Sequence, residues 1–243
     1  MPLEDELSDI LKKARNGQQR SVAEVARASG LSEVELSGLE RGQSPRSCEQ
    51  VRAVARALGL RAEPLTQAVD GWMPQASPSS IPHVETLLGS IGGYEVKGYI
   101  IHDRGEAVIV DTAYNAEAML KTLAERRLRL RAICLTHGHS DHADGIEAIL
   151  KAHPVPVYLG AEDLDLLSWR PAPESLHVPQ QGGALQVGAL TLRFVPTPGH
   201  TPGGICYQID QNGFPICFVG DTLFAGSIGR SNPAGLYQTH LQS

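Results

Sequence analysis

Apolar residues recur at spacings of three and four through roughly the first sixty positions, the period of helices that bury one face. Start signals fall where such helices need them. Ser21 with Glu24, and Ser32 with Glu35, each make an S-x-x-E box, whose hydroxyl and carboxylate satisfy free amides of a first turn. Helices are therefore predicted to begin near 22 and 33, with a further one along SCEQVRAVARALGL. Gly30 and Gly42 stand where a helix ends in left-handed backbone. From 61 to 82 the pattern dissolves into RAEPLTQAVDGWMPQASPSSIP, whose prolines and small polar residues favour an irregular connector. Beyond it EVKGYIIHD, EAVIVDT, RAICLT, VPVYLG, ALTLRFV, GICYQID and FPICFVGD read as strands, with helix-like AEAMLKTLAERRL and GIEAILKAH among them. The pattern thus predicts a small all-α domain over 1–62, a linker over 63–82 and an α/β or mixed layered domain over 83–243.

Composition narrows this picture only slightly. With 243 residues, 42% hydrophobic and 20% charged, the chain can bury a sizeable core. A formal charge of −6 argues against a protein wholly coated by nucleic acid and names no partner. Cys48, Cys134, Cys206 and Cys217 form no CxxC pair, and three lie in apolar runs, so they are expected to be reduced core residues. The acidic start MPLEDELSDI does not resemble a secretory signal, and no apolar run approaches the roughly 18 residues of a membrane span. The expectation is cytoplasmic residence with no membrane partner.

The chemistry concentrates in CLTHGHSDHADG, which places three histidines and an aspartate within six residues directly after an apolar strand. His137 and His139 can converge on one point from an extended turn, with Gly138 relieving the crowding between them, while Asp141 and His142 face a neighbouring point. Two later segments offer further ligands on loops held by strands: TPGHTPGG with His200, and CFVGDTLF with Asp221. Four of the nine histidines fall in the two glycine-bracketed segments CLTHGHSDHADG and TPGHTPGG. Single loop histidines are ordinarily just solvated; this concentration points to metal instead. Imidazole and carboxylate donors without a thiolate suit zinc, iron or manganese rather than a structural cysteine-type site.

HGHSDH, then GH in TPGHTPGG and GD in GDTLF, resembles the metallo-β-lactamase superfamily over residues 83–243. The resemblance implies a four-layer αββα hydrolase fold, here C-terminally short. It also implies that His137, His139 and His200 hold a first metal and Asp141 and His142 a second, with Asp221 bridging and Asp111 orienting a ligand histidine. Within the superfamily, GDTLFAGSIGRSN is similar to the glyoxalase-II-like branch, thioesterases acting on acyl-glutathiones. Two cations sharing a water would lower its pKa towards roughly 7, giving hydroxide for attack on the acyl carbon. Asp141 is the catalytic candidate. Arg230 is a candidate for a substrate carboxylate, or equally for a structural salt bridge. Superfamily β-lactamases usually carry cysteine at the place of Asp221, so antibiotic hydrolysis is not expected, while lactonase activity stays open.

The family pattern also has a late histidine followed by glycine, which this sequence does not show. After GRSNPAG stands LYQTHLQS, where His240 reads as a helix-surface residue. The first metal's set does not need that residue. A 2-His-1-carboxylate set from His137, His200 and Asp221 is the pattern of non-haem iron oxygenases, so the alternative is an iron persulfide dioxygenase.

The run SVAEVARASGLSEVELSGLERGQSPRSCEQVRAVARALGL resembles the phage-repressor helix-turn-helix domain, carried by Ala26, Gly30, Leu31, the LERG turn and the AVARALGL helix. The resemblance implies DNA contact through residues 21–42, with the helix of about 33–41 in the major groove, and a homodimer on paired half-sites. Glu33 and Glu35 stand in that helix, and residues 1–70 hold ten Lys/Arg against eleven Asp/Glu. Phosphate contacts should be few. The second functional class is a DNA-binding regulator whose metallo-domain senses a metabolite.

Overall fold

The computed structural model describes residues 3–73, 81–211 and 213–243. They divide into two compact units, one of residues 1–77 with 221–242, the other chiefly of 78–220. The first begins with α1 (Leu7–Gly17), α2 (Val22–Ser29), α3 (Glu33–Leu39), α4 (Cys48–Ala57) and α5 (Ala62–Val69). Both predicted boxes form: the amides of Glu24 and Glu35 donate to the Ser21 and Ser32 hydroxyls at 3.2 and 3.3 Å. The Ser21 and Ser32 amides donate back to the carboxylates at 2.7 and 2.8 Å. Gly30 ends α2 in left-handed backbone at φ 71°. Leu11, Val25, Ala26, Leu36 and Val54 make the core of this unit.

The proline-rich connector opens differently from expectation, because residues 62–69 are α5. Pro64 lies in the first turn, where a missing amide costs nothing, so its presence did not forbid a helix. Residues 74–80 of the expected linker lie outside the described residues.

The second unit contains β1 (Val84–Ile91), β2 (Tyr94–Asp103), β3 (Glu106–Val110), α6 (Ala116–Glu125), β4 (Arg129–Cys134), α7 (Ser140–Ala143), α8 (Ile146–Ala152) and β5 (Val157–Tyr158). Then follow β6 (Leu176–His177), β7 (Ala184–Val187), β8 (Leu190–Pro196), β9 (Ile205–Gln211) and β10 (Phe214–Phe218). One sheet runs β1-β2-β3-β4-β5-β6 and the other β10-β9-β8-β7. Alternation along β2, β3 and β4 sends Ile100, Ile109 and Ile133 towards Met119 and Leu123 of α6 and Ile146 and Ile149 of α8. The opposite face, with Ile101, Val108 and Cys134, packs on Leu192, Phe194, Tyr207 and Ile209 of the second sheet. Helices, sheet and sheet are three layers of the expected αββα frame. The strands β3, β4 and β5 pair in parallel, and the loop after β4 carries the candidate residues His137 to His142.

Residues 221–242 supply β11 (Leu223–Phe224), β12 (Ser227–Ile228) and α9 (Tyr237–Gln242) to the helical unit, although the sequence groups them with the α/β domain. Tyr237 joins that unit's core, and Lys13 donates to Asp5 and to the Ile228 carbonyl. His240 is buried, not on a helix surface. Its ring contacts the Ser231 hydroxyl and the Thr222 carbonyl at 3.1 and 3.0 Å. The cysteines also divide: Cys134 and Cys206 are buried, Cys48 is half-buried and Cys217 is exposed. Cys217 lies on the open face of β10, where alternation outweighs the apolar character of its neighbours.

Candidate metal centre

Directly after strand β3 stands Asp111, which adopts left-handed backbone with φ 55°, a conformation that aspartate tolerates better than most residues. Its fully buried carboxylate organises the next strand end. Oδ1 accepts the Thr136 amide at 2.7 Å, and Oδ2 accepts the Thr136 hydroxyl at 2.7 Å. Oδ2 also lies 2.9 Å from His142 Nδ1. Since a carboxylate only accepts, His142 carries a proton on Nδ1.

The same reasoning fixes His137. The Thr136 hydroxyl spends its proton on Asp111, so at 3.1 Å it accepts from His137 Nδ1. His137 Nε2 is then an acceptor. Among the described residues it is the buried side-chain nitrogen or oxygen left without a hydrogen-bond partner. Burial, and after it the neighbouring His142, His200 and His139, hold the His137 pKa well below the usual histidine range. A neutral imidazole with an orphaned lone pair is costly to bury unless something accepts that pair.

His137, His139 and His200 each offer a nitrogen within 4.8 Å of the others, and so do His137, Asp141 and His142 with an oxygen in the set. His139 Nδ1 and His200 Nε2 are 3.1 Å apart. Two nitrogens on a tetrahedral zinc at roughly 2.0–2.1 Å would be about 3.3 Å apart, so the spacing fits. The carboxylate of Asp141 lies 3.6 Å from His142 Nε2. His137 belongs to both groups but has one free lone pair, so it can serve one metal. The donor set and the orphaned nitrogen fit a divalent cation of the zinc, iron or manganese kind.

Asp221 and Arg230 fall in the other compact unit, Asp221 half-buried and Arg230 exposed. They are not among the residues grouped here.

Sequence reasoning missed Asp163, an acid with no exposed surface in the 3-10 turn Ala161–Leu166 after β5. It accepts the Gly138 amide at 3.3 Å, the Thr201 hydroxyl at 2.7 Å and the Gly203 amide at 2.8 Å. No periodicity distinguishes it from Glu162 and Asp165 beside it. The reason for Gly138 also changes: a Cβ there would come within 2.6 Å of the Asp163 carbonyl oxygen and 2.9 Å of Leu166 Cβ. The glycine makes room for this turn.

Residues 91–243 match the family model described as "Metallo-beta-lactamase superfamily", and residues 6–68 match one described as "Helix-turn-helix domain". A hydroxyacylglutathione hydrolase of Hahella chejuensis is 40% identical over 141 residues, covering 56% of this chain and 51% of that protein. One from Salmonella paratyphi A is 35% identical over 144 residues, covering 58% and 53%. The chain spans about half the length of these curated relatives. Among solved structures, the B3 metallo-beta-lactamase BLEG-1 aligns with a TM-score of 0.52 at 30% identity, over 60% of this chain and 76% of that one. A metallo-beta-lactamase from Staphylococcus aureus aligns with 0.50 at 29%, over 60% and 45%. Among the described residues no helix is long and apolar enough to cross a membrane.

Proposed function

The chain belongs to the metallo-beta-lactamase superfamily, and from that premise we propose that it is a metal-dependent thioester hydrolase of the hydroxyacylglutathione type. The observation that carries the reading is the convergence of His137, His139 and His200 around an orphaned, neutral nitrogen. A bound divalent metal supplies Lewis acidity and a water of lowered pKa. The residues of the chain do the rest. Asp111 fixes the His142 tautomer and, through Thr136, that of His137. Asp141 and His142 offer a second carboxylate–imidazole pair beside the first group. Asp221 is assigned as a further ligand on the family pattern alone, and Arg230 as the group that receives a substrate carboxylate. A thiol leaving group has a pKa near roughly 8.5 and departs as thiolate without a strong general acid.

The three-imidazole group suits zinc, whereas a set of His137, His200 and Asp221 would suit the iron of an oxygenase. Metal analysis of the purified protein, followed by hydrolysis of a hydroxyacyl-glutathione against oxygen uptake with glutathione persulfide, tests the choice. We expect zinc with thioester turnover. Stoichiometric iron with oxygen uptake would make the dioxygenase the correct reading.

The helical unit supports a second role, contact with DNA through α2 and α3, since residues 6–68 match a helix-turn-helix domain. Glu33, Val34 and Glu35 occupy the first turn of α3, and Glu35 is paired with Arg46. Few phosphates should therefore be neutralised, and binding to the protein's own promoter DNA should fall only shallowly as salt rises. No binding at low salt would remove this role.

A further inference from the structure

Two loops carry the first imidazole group, and one side chain that is not a ligand grips both. We propose that Asp163 is the positioning residue of this group: it sets His139 against His200, and thereby the affinity of the chain for its first metal. The inference rests on reading the three imidazoles as a metal site. Its own support is the pattern of contacts. Gly138, bonded to Asp163 Oδ2, sits between His137 and His139. Thr201, bonded to the same oxygen, follows His200 directly, and Gly203, bonded to Oδ1, completes the turn.

The approach is close enough to exclude a side chain at Gly138, Gly160 and Gly203. A Cβ at Gly203 would come within 2.8 Å of Asp163 Cγ, and one at Gly160 within 2.1 Å of the Gly203 carbonyl oxygen. Backbone and carboxylate are thus locked together, with no solvent to loosen them. A buried carboxylate is costly unless its lone pairs are met. Here three donors meet them, and all three belong to the ligand loops.

The two buried acids divide the labour. Asp111 bonds Thr136 and His142, whereas Asp163 bonds the 138 and 201–203 segments. Loosening Asp163 should widen the 3.1 Å spacing of His139 and His200 while leaving the His142–Asp111 bond intact. Partners that orient metal ligands typically change metal affinity about ten- to hundredfold when removed.

The test is zinc affinity, by competition with a chromophoric chelator, in a His142→Ala background that leaves the three-imidazole group as the binding set. Asp163→Asn confronts one backbone N–H with an amide donor. Thr201→Val removes one hydroxyl at nearly constant volume, so it gives a folded variant should the asparagine chain not fold. Thr201→Ser keeps the hydroxyl. We expect affinity to fall about ten- to hundredfold in Asp163→Asn, to fall in Thr201→Val, and to be restored in Thr201→Ser. Unchanged zinc affinity in Asp163→Asn and Thr201→Val, with binding still lost in His200→Ala, overturns the positioning role while leaving the site intact. Reduced thermal stability of the metal-free variants at unchanged affinity overturns it equally, as a purely structural role. If the parent binds no zinc at all, the metal site itself is refuted, and the proposal with it.

Discussion

At the scale of single residues, the proposed function depends on which ring nitrogen of each histidine carries its proton. Asp111 decides this for His142 directly and for His137 through the Thr136 hydroxyl. Asp111→Asn presents an amide donor where two donors now converge, so the tautomers lose their anchor. Metal affinity should drop about ten- to hundredfold, measured by chelator competition, with the far-UV circular dichroism of the folded chain retained. Unchanged affinity would mean that the histidines are oriented by something else. The clustering of these candidate residues was legible in the sequence because His137, His139, Asp141 and His142 crowd one glycine-bracketed turn and His200 another. Asp163 was not legible. Its role comes from a loop that closes over Gly138 and Gly203 from a distance along the chain, and no local pattern encodes such an approach.

At the scale of elements, capping chemistry and apolar periodicity made most helices readable, and a segment carrying proline did not read as one. Ser21 and Ser32 announced α2 and α3 through local chemistry, and strand alternation announced β2, β3 and β4. Helix α5 lacks a side-chain cap and carries Pro64, so its segment read as a connector. Helix α9 shows the opposite limit, because burial of His240 depends on the chain around it. Desolvation lowers the His240 pKa, with the Thr222 carbonyl opposing and nearby Lys13 reinforcing the shift. With the folded pKa below 6.5, protonation favours the unfolded chain. Stability is full above about pH 6.5 and falls as pH drops from there towards the folded pKa. Thermal unfolding followed from pH 7.5 to 5.5 should show a smaller loss in His240→Asn than in the parent. Equal losses would show that His240 does not contribute to the pH dependence.

At the scale of the whole molecule, the sequence separated a helical region from a mixed α/β region, and both are present. Residues 221–242 lie within the matched span 91–243 and also pack Tyr237 into the helical core. Short apolar segments do not encode which core receives them. The chain joins a helix-turn-helix domain to a metallo-beta-lactamase domain, and the function proposed for it is thioester hydrolysis. The most direct measurement is steady-state hydrolysis of a hydroxyacyl-glutathione by the full chain, stripped of metal, reloaded with zinc, and compared with His200→Ala treated alike. The account predicts turnover that disappears on stripping, returns with zinc and stays absent in His200→Ala. Equal turnover in the stripped protein, or in zinc-treated His200→Ala, would contradict it.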